Sequence, residues 1–279
     1  MRVVVLASSP YSETGCAMAA RLAQLGQTVA GAISLPAWDR GTLLRKLAQW
    51  GWRDSWRFAW SKLAPAKRTT PAKLHNSYLR NAYFEDALRQ GSKVLRNLHE
   101  VGKAYGFPLQ IYADQNSPAA MAQVKLWSAD VAVFTGGNIL RKQLLQTPRL
   151  GVLNSHLALL PEIRGMSSPE WSLVCGVPLG VTIHQMDAGI DTGPILIRRE
   201  IPHSGECGSL IDLRNRMIAF GIEMMGEAIA GLEAGAIVPA RQASCARDTQ
   251  YFVMHERLKS AAAGSLAQAG SAAAEKCRG

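Results

Sequence analysis

Apolar residues fall in short unbroken runs in parts of this chain and recur every three or four positions in others. Residues 2–7 form a run that predicts a buried first strand. Residues 14–25 have helical spacing, and Gly26 follows as a plausible C-terminal stop. Residues 28–34 predict a second strand, which completes the βαβ opening of a parallel, doubly wound sheet. Runs at 109–112 and 130–134 predict two more buried strands, with a helix over 118–127 between them. Strands are also predicted at 151–154, 180–186 and 195–200, and a long helix at 210–232. The expected fold is α/β, a mostly parallel Rossmann-like sheet over residues 1–238, followed by an extension at 239–279 whose Ala-, Gly- and Ser-rich tail at 261–279 reads as disordered.

One stretch interrupts this pattern. Residues 36–103 read as a helical insertion in which Leu43, Leu47 and Trp50, then Trp52, Trp56, Trp60 and Leu63, recur at helical spacing. The chain has 279 residues and a formal net charge of +10. Between Arg40 and Lys103, 14 Lys and Arg face 4 Asp and Glu, so this segment alone accounts for the whole excess. Residues 36–103 as a whole also hold five of the seven tryptophans. A basic helix over 40–63 with an aromatic stripe suits packing on the domain or across a homodimer, an anionic membrane surface, or a nucleotide or nucleic-acid surface. The stripe alone does not choose among them.

At 48% hydrophobic residues the chain can fill a core, and the opening apolar run is too short for a signal peptide. A cytoplasmic location follows as the expectation, with peripheral membrane contact if the tryptophan stripe meets lipid. Cys16, Cys175, Cys207, Cys245 and Cys277 are scattered, and the histidines show no ligand-pair spacing, so no metal site is expected. The turn after the first strand, residues 7–15, lacks the glycine spacing that brings a backbone against a pyrophosphate.

The chemistry concentrates between residues 154 and 194. Asn154 and His156, two apart on a strand, project to the same side at its carboxyl end, and Asp191 follows in Gly189-Ile190-Asp191-Thr192-Gly193-Pro194. An amide donor, an imidazole and a carboxylate are the groups that acyl transfer to an amine requires. The run from Asn154 through Leu159-Leu160-Pro161 to Arg164-Gly165 resembles the N-x-H-x-S-L-L-P-x-x-R-G signature of folate-dependent formyltransferases. Residues 180–195 are similar to that family's second signature, G-V-T-x-H-x-x-D-x-G-x-D-x-G-P-I.

The resemblance implies that Asn154, His156 and Asp191 are catalytic and that 10-formyltetrahydrofolate is the formyl donor. Asn138, Ile139, Leu140, Asp187 and Ile190 would hold the donor, and Arg164, Gly165 and His184 would face the acceptor. In that reading Asp191 keeps His156 protonated, and His184 either lines the acceptor site or closes strand hydrogen bonds. Two departures stand out: Ala158 replaces the family serine, and the loop after Gly165 is one residue longer before Pro169 than in the tRNA enzymes. The longer loop and the Tyr251-Phe252 pair resemble the sugar N-formyltransferases. The expected acceptor is therefore a small anionic amine, an amino sugar on a nucleotide or lipid carrier, and nucleic acid is not expected as a partner. Two alternatives stand beside it: a methionyl-tRNA formyltransferase-like enzyme without the C-terminal barrel, and a non-catalytic membrane-associated binding protein with the same fold.

Overall fold

The computed structural model describes residues 1–37, 82–201, 207–243 and 249–276. The tryptophan stripe at 38–60 and the basic helix expected over 40–63 lie outside them.

Seven strands form one sheet: β1 (Arg2–Ala7), β2 (Thr28–Ser34), β3 (Leu109–Ile111), β4 (Val131–Phe134), β5 (Val152–His156), β6 (Gly180–Gln185) and β7 (Ile195–Glu200). Their spatial order is β7-β6-β5-β4-β1-β2-β3. β1 pairs in parallel with β2 and β4, β2 with β3, and β4 with β5, whereas β6 is antiparallel to both β5 and β7. The expected mostly parallel, doubly wound sheet is therefore present, with β6 reversed.

Residues of β1 alternate between two apolar layers. Val3, Val5 and Ala7 join one buried cluster, and Val4 and Leu6 join the other. A strand covered on both faces reads as a continuous apolar run, as this one does. The first layer is covered by α1 (Glu13–Gln24), α2 (Ala82–Leu88), α3 (Leu98–Tyr105) and the long α7 (Leu210–Glu233). The second is covered by α4 (Pro118–Leu126) and a short helix, α5 (Lys142–Leu145).

Local sequence sets the helix ends. Ser12, Asn97, Ser117 and Ser209 each accept a hydrogen bond from a backbone N–H of the following first turn. Each such cap contributes about 1 kcal/mol. Gly26 lies just past α1 with φ +81°, the left-handed position its sequence place suggested.

The structure changes two boundaries read from the sequence. Residues 82–103, grouped there with the insertion, are part of the core: Phe84, Leu88, Leu98 and Val101 are buried in the layer that also holds α1. Their charged neighbours hid an apolar face that the open sheet needs to cover. The tail read as disordered from residue 261 instead continues α8 (Glu256–Lys276), which packs on α6 (Ser168–Cys175), with Ala262 and Leu266 buried. Alanine has the highest helix propensity, and two buried apolar positions suffice to anchor the helix start.

The sheet order reverses between β1 and β4, the place where doubly wound sheets leave a crevice at their carboxyl ends. Gln115, fully buried, fills it here. Its amide nitrogen donates to Ala7 O at 3.0 Å and Gly136 O at 3.3 Å, and its amide oxygen accepts from Asn138 N at 3.1 Å.

Candidate active site

Alternation along β5 puts Leu153 in the first apolar layer and Val152 in the second, so Asn154 and His156 follow Val152 to the α4 side. β6 pairs Asn154 with His184 and His156 with Thr182, which brings His184 to the same face. The loop between β6 and β7 then returns across that face and delivers Asp191.

Four side chains meet there. Asn154 Nδ2 lies 3.2 Å from His184 Nε2, Asp191 Oδ2 lies 3.4 Å from His156 Nδ1, and Asp191 Oδ1 lies 3.5 Å from His184 Nε2. The two imidazoles meet edge to face with centroids 6.3 Å apart. Gly165 N donates to Asp191 Oδ2 at 2.8 Å. The sequence brought Asn154, His156 and Asp191 forward together, and the structure adds His184 as their common neighbour.

Partner chemistry fixes the protons. Ile163 O, which can only accept, lies 2.8 Å from His156 Nε2, so that nitrogen bears hydrogen and Nδ1 is the one turned toward Asp191. Gln185 O lies 3.0 Å from His184 Nδ1, so His184 donates there and its Nε2 accepts from the Asn154 amide. One Nδ2 hydrogen of Asn154 is thereby used, and the second is left for another acceptor.

The charge states differ from the sequence reading. His156 was expected to be protonated because a carboxylate stands beside it. Burial pushes its pKa down instead; the Asp191 charge opposes this, and His184 adds to it. At rest His156 is neutral. Burial also acts to raise the pKa of Asp191, but the neighbouring His184 and His156 imidazoles and the Gly165 N–H outweigh it and bring the carboxyl down to about 2. An unprotonated Nδ1 thus faces an ionised Oδ2 across 3.4 Å, and the pair is poised to take up one proton.

Arg164 and Gly165 form a two-residue strand that pairs in parallel with Gln250 and Tyr251. Gly165 has φ +94°, and a Cβ there would lie 2.1 Å from Tyr251 O, so only glycine fits. Tyr251 in turn stacks on Trp171 at 4.9 Å. The expected donor-site residues occupy two loops. In one, Ile139 is 91% exposed, Leu140 is buried, and Asn138 is bonded to Gln115. In the other, Ile190 is half exposed, and Asp187 folds its own loop by accepting from Gly189 N and Thr192 Oγ1.

Sequence reasoning missed Ile163, Gln115 and Gln242. Ile163 acts through its backbone carbonyl, which no residue type announces. Gln242 donates to both Asp191 O and Gly193 O at 2.8 Å. It stands 51 residues from Asp191, and a lone glutamine gives no signal.

The formyl transferase family model matches residues 94–229, a span that contains all four clustered side chains. The chain carries a formyl transferase domain. Members of that family are one-carbon transferases. A methionyl-tRNA formyltransferase from Trichlorobacter lovleyi is 35% identical over 145 residues, which cover 51% of this chain and 46% of the relative. The chain thus spans about half the length of the curated relatives it matches. Glycinamide ribonucleotide transformylase 1 from Symbiobacterium toebii shares the fold, with a TM-score of 0.55 at 20% identity over 88% of this chain and 94% of that one. So does an N-formyltransferase from Helicobacter canadensis solved with folinic acid and dTDP-3-aminofucose, with a TM-score of 0.50 at 12% identity over 90% of this chain and 70% of that one.

Proposed function

We propose that this chain moves a formyl group from 10-formyltetrahydrofolate to a primary amine. The observation that carries the reading is the meeting of Asn154, His156, His184 and Asp191 on one face of the β5–β6 pair. In acyl transfer to an amine, the amine nitrogen bonds to the formyl carbon, negative charge grows on the formyl oxygen, and the amine must lose a proton; the formyl carbon–N10 bond then breaks, N10 takes up a proton, and tetrahydrofolate leaves. The free Nδ2 hydrogen of Asn154 answers the first need, because a neutral amide donor stabilises an oxyanion without carrying charge into the site. His156 Nδ1, backed by Asp191, answers the second. Once protonated, Nδ1 becomes a donor and adds to oxyanion stabilisation.

The donor's pterin is assigned in this reading to the Asn138-Ile139-Leu140 loop and the loop around Asp187 and Ile190. Both present backbone and exposed apolar side chains, as a flat heteroaromatic ring requires. For the acceptor, an amino sugar on an anionic carrier is the reading supported by the longer Arg164 to Pro169 loop, by the Trp171–Tyr251 stack beside Gly165, and by the positive charge of residues 40–103. Arg164 and Gly165 then stand at the acceptor side, and His184 acts through Asn154. A tRNA acceptor is the second reading, favoured by the 35% identity to a methionyl-tRNA formyltransferase.

Incubation with isotopically labelled 10-formyltetrahydrofolate and a panel of amines, read by mass spectrometry, separates these. A formylated amino-sugar nucleotide is the expected product. Formylation of charged initiator tRNA alone would overturn the acceptor reading and keep the chemistry, and no transfer to any amine would overturn both.

A further inference from the structure

Asp191 holds an unusual backbone position for a residue with a side chain. Its φ is +54°, in the left-handed region that non-glycine residues enter at a cost. Gly193, two residues on, is pressed so close to β6 that a Cβ would lie 1.9 Å from Gln185 O. The turn is tight, and something outside it must hold it.

We propose that Gln242 is a positioning residue for Asp191, clamping the 191–193 turn through its side-chain amide. Ile195 and Ala240 exchange two backbone hydrogen bonds, of 2.7 and 2.8 Å, so the chain after Ala240 runs back beside the turn. At Gln242 the side chain takes over from the backbone. Its Nε2 donates to Asp191 O and to Gly193 O, both at 2.8 Å, using the two hydrogens of one nitrogen. Both partners are carbonyls, so the amide has only one workable orientation.

The geometry says what the clamp does. Holding the Asp191 and Gly193 carbonyls restrains the backbone of the turn, and with it the direction in which the Asp191 carboxylate points toward Gly165 N, His156 Nδ1 and His184 Nε2. Gln242 lies beyond the segment matched by the family model, so a residue from the C-terminal part sets the geometry of an acid inside it. A displacement of about 1 Å at such a site costs on the order of a hundredfold in rate. The inference rests on the role proposed for Asp191 in supporting proton uptake at His156.

The test uses the full chain with Gln242→Met, close in size but without N–H donors, alone and combined with Asp191→Asn. Two readouts are taken: kcat with labelled 10-formyltetrahydrofolate, and the imidazole titration of His156 followed by NMR and assigned with His156→Gln. We expect Gln242→Met to lower kcat about tenfold or more, by the same positional argument, with the donor KM less changed. We expect the His156 titration to move to lower pH, because the Asp191 charge that supports its protonation has moved away. In the Asp191→Asn background, Gln242→Met should change neither readout further. Unchanged kcat and titration in the single variant, or fully additive losses in the double one, would overturn the proposal. If Gln242→Met melts too early to assay, Gln242→Leu, uncharged and likewise without N–H donors, is measured with the same readouts. A titration that follows Gln242 with no formyl transfer by the parent would sink the formyl-transfer reading and spare the clamp. Normal transfer with an unmoved titration would do the reverse.

Discussion

Asn154 Nδ2 and His184 Nε2 lie 3.2 Å apart across the β5–β6 pair, and the opposite nitrogen of His184 is held by the carbonyl of Gln185. The orientation of the Asn154 amide, proposed above as a neutral oxyanion donor, is thus set by a buried histidine on the adjacent strand. His184→Ala should release the Asn154 amide and lower kcat by about tenfold to a hundredfold, the range for a lost or misdirected oxyanion donor. His184→Gln, whose amide reaches the place of Nε2, should recover part of the loss. Single-turnover formyl transfer measures both. Equal loss in the two variants would mean that the acceptor at Nε2 is not what matters.

Asp191→Asn should remove the charge that supports proton uptake at His156. Activity should fall by roughly a hundredfold to ten-thousandfold, the usual worth of a positioned acid or base. Donor binding, followed by quenching of intrinsic fluorescence, should change little, because the carboxylate is committed to Gly165 and the histidines.

His156 and Asp191 both have pKa values below their ordinary ones, and both make acid unfavourable for the folded state. For His156 the unfolded chain takes up a proton at its ordinary value of 6.5 while the folded chain does not. Its contribution is therefore complete above 6.5 and is lost as pH falls toward the lower folded value. For Asp191 the loss runs from the ordinary 3.8 down to about 2. Urea midpoints should accordingly fall as pH drops below 6.5, and His156→Gln should flatten the upper part of that slope. Transfer activity should persist below pH 6.5, because neutral His156 is the working form. An acidic limb of kcat/KM centred above 6.5 would contradict this.

Gly165→Ala should destabilise the protein. Left-handed φ at a residue with a side chain costs about 1–3 kcal/mol, and the clash with Tyr251 O adds to it. Each kcal/mol corresponds to roughly 2–4 °C in Tm for a domain of this size. The same substitution moves the N–H that holds Asp191 Oδ2, so activity assayed below Tm should fall as well.

Much of this protein was legible before folding was considered. The apolar runs predicted all seven strands, and 2–7, 28–34 and 195–200 matched to the residue. Asn154, His156 and Asp191 were legible because they stand in two runs that resemble the signatures of folate-dependent formyltransferases. Residues 82–103 were misassigned because their charges dominate composition while Phe84, Leu88, Leu98 and Val101 do the packing. The part of the helix at 256–276 that runs from 261 to 276 was read as disordered because an Ala-rich stretch is a good helix and a poor core, and only a neighbouring surface decides between the two.

The sequence by itself determined the sheet, the side of β5 that carries the chemistry and the family of the domain, since all three follow from residue type at fixed local spacing. Tertiary structure alone decided the protonation of the site. The pKa of His156 balances burial, which needs the whole core, against a carboxylate delivered 35 residues later in the chain. Likewise, Ile163 O, Gln115 and Gln242 act through backbone groups or long-range amide contacts that only the folded chain brings within 3.3 Å.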